Sequence, residues 1–266
     1  MPLYEEQKKQ IKQKIKDILK LDTRISEKRS EMLSGDTSPF LISLVGEKAT
    51  LSTKVVQSLQ TTMGMSFYEQ TCKILGEQSG YKVENQKKVY GSLSKEVEEY
   101  LKILQDINYQ PNRAKELEDI REICRKNSEN GVAPLSEYPD STVDVYITTP
   151  SGEEFLIDIT TVKPNKKETR IMKEKTLRWA AYRMSQDPKI KVEPYFAIPY
   201  NPEANNVMDT EYKRWDTYYD RSDILVGNEL WGKVSDDQCS INDIIEIFEE
   251  IGREIGESIE DSLDSL

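Results

Sequence analysis

Two aspartates, Asp144 and Asp158, flank the tetrapeptide Thr149-Pro150-Ser151-Gly152. The surrounding stretch, residues 139–163, reads PDSTVDVYITTPSGEEFLIDITTVK, with apolar residues alternating at period two on both arms. That pattern predicts a β-hairpin. Pro150 suits the start of a type I turn, and Gly152 suits the left-handed position of a three-residue loop. Such a loop sets Thr149 opposite Glu153. Val143, Val145 and Ile147 then face Ile159, Ile157 and Phe155 across one apolar side. On the other side Asp144 lies directly opposite Asp158. Carboxylates opposed across a ladder repel each other, and a divalent cation between them turns that cost into a binding site. The same pattern also describes a solvated hairpin face carrying two unrelated acids.

The rest of the composition narrows the chemistry. The chain of 266 residues has no histidine, so histidine bases and Ser-His-Asp triads are excluded. Catalysis must rest on carboxylates, lysines or a hard metal ion. Cys72, Cys124 and Cys239 are far apart, which argues against a zinc cluster and for a reducing, cytoplasmic compartment. No apolar run approaches a membrane span and no signal peptide is expected. The net charge of −11 looks wrong for a nucleic-acid partner, but residues 236–266 hold eleven acids and one base, a net of −10. The remainder is near −1 and carries basic clusters, so local clustering matters more than the total.

The elements that must position the acids follow in order. Residues 4–33 and 40–62 read as helices, the first rich in lysine (Lys8, Lys9, Lys12, Lys14, Lys16 and Lys20) with an apolar stripe of Ile11, Ile15, Ile18 and Leu19. It is either a solvated amphipathic helix or one that touches phosphates or a partner subunit. Ser66 and Glu69 fit a capping box opening a further helix. Glu69 is either that cap partner or an acid aimed at the hairpin. Residues 81–90 read as a strand, and 92–129 as two helical pieces split at Tyr109-Gln110-Pro111-Asn112. After the hairpin, Asn165 and Glu168 form a second capping box. The helix they open carries Lys166, Lys167, Arg170, Lys173, Lys175 and Arg178, with Ile171, Leu177, Ala181 and Met184 as its expected inner stripe. Such a helix neutralises phosphates, or is simply a solvated charged face. Residues 192–200 and 224–226 read as strands. The polar, aromatic segment 201–221, with Asn201, Arg214 and Arg221, could read base edges or pack over the sheet. Residues 240–263 form an acidic amphipathic helix with Ile241, Ile244, Ile245, Phe248, Ile251 and Ile255 inward, its outer face meeting solvent or a second subunit.

The order helix, strand, hairpin, basic helix, strand resembles the nuclease core of the PD-(D/E)xK superfamily. The resemblance rests on Pro139-Asp140, Asp144 and Asp158-Ile159-Thr160. The string TTVKPNKKE at 160–168, Arg178-Trp179, FAIPYNP at 196–202 and FEEIGREI at 248–255 is similar to the TdeIII-like type II restriction endonucleases, from Gly64 to the C-terminus. It implies an α/β fold: a central mixed sheet flanked by helices, a helical region at 1–63, a nuclease domain at 64–266 and a helical insertion at 92–129. It also implies Mg²⁺-dependent double-strand cleavage at a short palindrome of GGNCC type, by a homodimer matching the two-fold symmetry of the site.

On that reading Asp144 and Asp158 bind the metal, with the Ile159 carbonyl and Glu69 as further ligands. Carboxylate-held Mg²⁺ activates water and stabilises the phosphate, and a lysine near the nucleophile helps. The lysine expected two residues after Asp158 is Thr160. Lys163 is the favoured substitute, provided that a bulge or kink turns it back, with Lys88 and Lys175 as alternatives from other elements. Lys166, Lys167, Arg170, Lys173, Arg178, Asn201, Arg214 and Arg221 are the expected DNA contacts. Another nuclease of the superfamily, or a degenerate DNA-binding module, for which Thr160 is the best support, are the competing readings.

Overall fold

The computed structural model describes residues 5–35, 39–62, 67–91, 93–106, 108–130, 141–160 and 163–264, with side chains through Glu254 except at Leu21, Asp22 and Leu33. In chain order the elements are α1 (Glu5–Leu19), α2 (Leu21–Leu33), α3 (Pro39–Val45), α4 (Glu47–Thr62), α5 (Tyr68–Gln78), β1 (Lys82–Lys88), α6 (Lys95–Leu104), α7 (Arg113–Glu129), β2 (Thr142–Thr148), β3 (Glu154–Ile159), α8 (Lys166–Gln186), β4 (Val192–Ile198), β5 (Ile224–Val226), α9 (Asn228–Val234) and α10 (Ile241–Asp264). They fall into two units, one spanning 72–241 and the other 2–71 with 242–266. The expected Ser66 cap, Ile107 and Asp140 lie outside the described residues.

The sheet unit is built on five strands in the order β1-β2-β3-β4-β5. β1, β2 and β3 pair antiparallel, while β3, β4 and β5 pair parallel, so the sheet is mixed and flanked by helices as expected. The turn sets the β2–β3 register. The Thr149 N–H donates to the Glu153 carbonyl at 2.9 Å, the Gly152 N–H donates to the Thr149 carbonyl at 2.9 Å, and Gly152 takes φ +84°. Val145 therefore faces Ile157, Tyr146 faces Leu156 and Ile147 faces Phe155. Both sides of the hairpin are covered: Val145, Ile147 and Ile157 are buried, and so are Tyr146 and Leu156. A hairpin solvated on one face is thereby excluded for most of its length.

The parallel step from β3 to β4 needs a crossover, and α8 supplies it. Asn165 accepts from the Glu168 N–H and Glu168 returns the bond, the capping box read from the sequence. The inner face is wider than the expected stripe. Leu177, Trp179, Ala180, Ala181, Tyr182 and Met184 all belong to one core with Tyr146 and Leu156, whereas Ile171 is exposed. A helix buried almost all round hides its period, because apolar residues fill both faces. The two helical pieces α6 and α7 appear where expected, capped by Ser94 and Asn112. The α9 helix, between β5 and α10, is too short to leave a periodic signal.

In the helical unit, residues 4–33 divide at Lys20, which takes φ +44°, and 40–62 divide at Gly46, at φ +83°. Three of the lysines of α1 meet the acids of α10. Lys8 pairs with Glu246 at 2.9 Å, Lys12 with Glu250 at 2.7 Å and Lys16 with Glu254 at 2.6 Å. The constant offset of 238 residues means that the two helices run parallel. The acidic face expected to meet solvent or another subunit is thus partly answered within the chain. In α10, Ile247 is buried in place of Ile245, which is exposed.

Gly91, just past β1, crosses α8 at close range. A Cβ there would lie 2.6 Å from both the Tyr182 Cα and its carbonyl oxygen, backbone atoms that cannot turn aside. Gly91→Ala should therefore lower stability by about 1–3 kcal/mol, the usual cost of overpacking, read as a reduced urea midpoint at unchanged m-value.

Candidate active site

The β2–β3 ladder runs as far as Val145–Ile157. One step further, Asp144 continues it with its side chain, since Oδ2 accepts the Ile159 N–H at 2.8 Å. Asp158, on the adjacent strand, is 5% exposed and accepts the Lys175 ammonium on Oδ1 at 2.7 Å. A carboxylate that is nearly buried needs such a partner, because an unpaired charge there is costly. The ammonium is steadied in turn by the Trp179 ring of the same helix, 5.0 Å from the ring centroid. On the other flank, Gln86 Nε2 donates to Asp144 Oδ1 at 3.2 Å. Gln86 has φ +53°, a left-handed backbone that non-glycine residues seldom adopt. Its neighbours Asn85 and Lys87 pair with Val145 and Val143, which leaves Gln86 facing Asp144. Strain of this kind concentrates at functional sites.

The two aspartates among the expected metal ligands therefore stand on adjacent strands at one end of the hairpin, each with a defined partner. Among the described residues no three His, Cys, Asp or Glu side chains gather into a set that could hold a metal ion. Glu69 stands in the first turn of α5, in the helical unit. A pair of carboxylates still suits Mg²⁺, which keeps several waters and takes one or two carboxylates beside substrate phosphates. Thr160, half-buried, donates its N–H to Ala197 at 3.0 Å. Lys163 is exposed in a bend beyond β3.

The expected DNA contacts divide sharply. Lys166 and Lys167 are exposed in the first turn of α8, with Lys166 Nζ 5.0 Å from the Tyr218 ring centroid. Arg170 donates to the Gln105 carbonyl and stacks toward the same ring. Lys173 is a correction. It is buried and forms ion pairs with Glu116, at 2.5 Å, and with Asp223. Arg113 joins Asp223 at 3.2 Å and Glu193 at 2.6 Å, which closes a buried cluster tying α7, α8 and β4 together. Lys173 and Arg113 are therefore committed to buried carboxylates. Arg178 is held by Glu98 at 2.6 Å and Glu174 at 2.8 Å. Asn201 is buried and clips its own loop, donating to the Asp209 and Glu211 carbonyls at 3.2 and 3.0 Å. Arg214 and Trp215 both donate to the Pro164 carbonyl, at 2.9 and 3.1 Å, fastening that loop to the start of α8. Arg221 is paired with Glu229 at 2.8 Å.

Gln86 is the residue at this site that the sequence pattern did not single out. Its only signal is its place in β1, and that becomes readable only when the β1–β2 pairing is known. Lys175 was visible as one cation of a basic helix, with nothing to separate it from Lys173.

A mixed sheet with an antiparallel hairpin, a parallel crossover and an acid pair at one strand end defines a restriction-endonuclease-like α/β fold. The chain matches the family described as Type II restriction endonuclease, HinfI, over residues 3–252, and it belongs to that family. It is similar to the type II restriction enzyme MjaII of Methanocaldococcus jannaschii, 30% identical over 208 residues, covering 73% of this chain and 53% of that enzyme. It is also similar to the type II restriction enzyme HgiCII of Herpetosiphon aurantiacus, 22% identical over 219 residues, covering 82% of this chain and 78% of the relative. The match thus spans about half the length of MjaII. No solved structure matches the chain. Type II restriction enzymes are site-specific deoxyribonucleases, so the class agrees with the sequence resemblance, and such a family implies DNA binding and a divalent metal ion. Among the described residues no helix is long and apolar enough to cross a membrane.

Burial separates the two kinds of lysine on α8. Lys173→Met should cost about 3–5 kcal/mol of stability, because it strands buried carboxylates, while the salt slope of DNA binding stays as it was. Lys166→Ala should leave stability intact and reduce that slope by about 1. Urea unfolding and salt-dependent anisotropy with a DNA duplex measure the two.

Proposed function

We propose that this chain is a type II restriction endonuclease that makes Mg²⁺-dependent double-strand breaks at a short palindromic site, acting as a homodimer. The sequence resemblance points to a GGNCC-type site, and a palindrome calls for a two-fold symmetric reader. The observation that carries the reading is the pairing of Asp144 on the Ile159 amide with Asp158 on the Lys175 ammonium, two acids fixed at one strand end.

In this reading Asp144 and Asp158 hold the Mg²⁺ ion, with the Ile159 carbonyl as a further oxygen. When bound, the ion supplies Lewis-acid stabilisation of the phosphate and lowers the pKa of water. The residues of the chain do the rest. The Ile159 amide and Gln86 fix the orientation of the Asp144 carboxylate. Lys166 and Lys167, exposed at the start of α8, neutralise backbone phosphates. Asp158, close to full burial, keeps bulk water from its own flank.

Plasmid digestion with Mg²⁺ should yield discrete fragments whose sequenced ends share one palindromic motif. Asp144→Asn and Asp158→Asn should each lower the cleavage rate by roughly 10³-fold or more, given that metal stabilisation is worth several kcal/mol, with the thermal midpoint close to wild type. Full activity in either variant would remove the acid pair from the mechanism. Binding to duplex DNA without cleavage in Mg²⁺, Mn²⁺ and Co²⁺ would instead favour a degenerate binding module, the reading that Thr160 supports.

A further inference from the structure

We infer that Lys175, projecting from α8, supplies the catalytic cation that β3 lacks at Thr160. This deepens the nuclease reading and rests on it. The residue two after Asp158 is uncharged, and its N–H is committed to the Ala197 carbonyl. Lys163 stands exposed in a bend past the strand end. Lys173, two residues before Lys175, is locked into the cluster of Glu116 and Asp223. Lys88 is exposed at the end of β1, paired in register with Thr142. Lys175 stands directly on one of the two hairpin acids, its Nζ 2.7 Å from Asp158 Oδ1, with its side chain 20% exposed.

The chemistry follows from that position. Hydrolysis forms a P–O bond to the water oxygen and breaks the P–O bond to the leaving sugar oxygen. In net terms one water proton ends on the leaving oxygen, and negative charge grows on the phosphate as the bond forms. Lys175 keeps its three protons throughout and acts as a donor. A cation shared by the Asp158 carboxylate would weaken its hold on the ammonium, which would then donate to a phosphate oxygen beside the attacking water. A charged donor preset beside developing charge is worth far more in a partly buried site than in water. Trp179 limits the swing of the side chain, so the charge arrives already oriented.

Lys175→Met should reduce single-turnover cleavage by about 10²–10³-fold, the typical loss on removing one such donor. Duplex affinity should stay within about threefold of wild type, since no phosphate contact outside the reacting centre is lost. Mn²⁺ affinity of the DNA-free protein, measured by calorimetry, should rise, because the ammonium no longer competes for Asp158. A purely structural lysine would not weaken cleavage while strengthening metal binding. Lys175→Gln, which retains a donor toward Asp158, serves if the methionine variant does not fold, and should show the same loss of rate. Thr160→Lys in the Lys175→Met background should restore part of the rate, because side chains two apart on a strand share a face. Wild-type cleavage by Lys175→Gln, or a loss on Lys163→Met equal to that predicted here, overturns the assignment while leaving the nuclease reading intact. A wild-type protein that cuts no DNA in Mg²⁺ or Mn²⁺ removes both.

Discussion

The three-residue turn at Pro150-Ser151-Gly152 sets the pairing of β2 with β3, and everything at the acidic end depends on that pairing. Gly152 can adopt φ +84° because it has no Cβ, which lets Thr149 close on Glu153. A slip of one residue would turn every side chain of the strand to the opposite face. Asp158 would then leave Lys175 for the other side of the sheet, and Tyr146 and Leu156 would leave the core beneath α8. The burial of those apolar neighbours is therefore what holds the acids in place. The hydrophobic pattern fixes the register, and the register positions the charges.

Charge in this molecule is mostly spent internally. Lys8, Lys12 and Lys16 meet the acids of α10, Arg113 and Lys173 answer Glu116, Glu193 and Asp223, and Arg178 answers Glu98 and Glu174. Exposed pairs such as those of α1 contribute little each. The buried cluster is different, because removing one member strands the others. It joins α7, α8 and β4, and so fixes the helix that presents Lys175. At the start of α8, Lys166 and Lys167 stay exposed. A net charge of −11 therefore does not prevent a local basic edge on the helix that follows the hairpin.

The hairpin was legible because its information is local. Alternation, a turn with Pro and Gly in the right places, and the opposition of Asp144 and Asp158 all lie within 25 residues. The same holds for the Asn165–Glu168 cap, which needs only i to i+3 spacing. What was not legible depended on distant pairings. Lys173 and Lys175 differ by two positions on one basic helix. Only the packing of α7 and β4 sends the first into a buried cluster and the second to Asp158. Asn201 looked like a base reader because it lies in a polar aromatic loop, yet it spends its amide on the loop's own carbonyls. The broad inner face of α8, with Trp179 to Tyr182 all buried, erased the helical period that placed Ile171 inside.

The gap at Thr160 and the placement of Lys175 are best understood together. A lysine on β3 would be held by the strand and would reach the reacting centre along the sheet. On the proposed reading, a lysine on α8 would reach it from the helix layer, through a side chain that lies against Trp179. The helix position has a physical consequence for Asp158. Asp158 is nearly buried, and without a cation its carboxylate would carry an unanswered charge in the core. The Lys175 ammonium removes that cost by pairing with Asp158. On the proposed reading the same ammonium would also face the charge that develops during the reaction. Gln86 plays the matching part for Asp144, at the cost of a strained backbone in β1. Each acid thus has a neutral or positive partner that fixes its orientation.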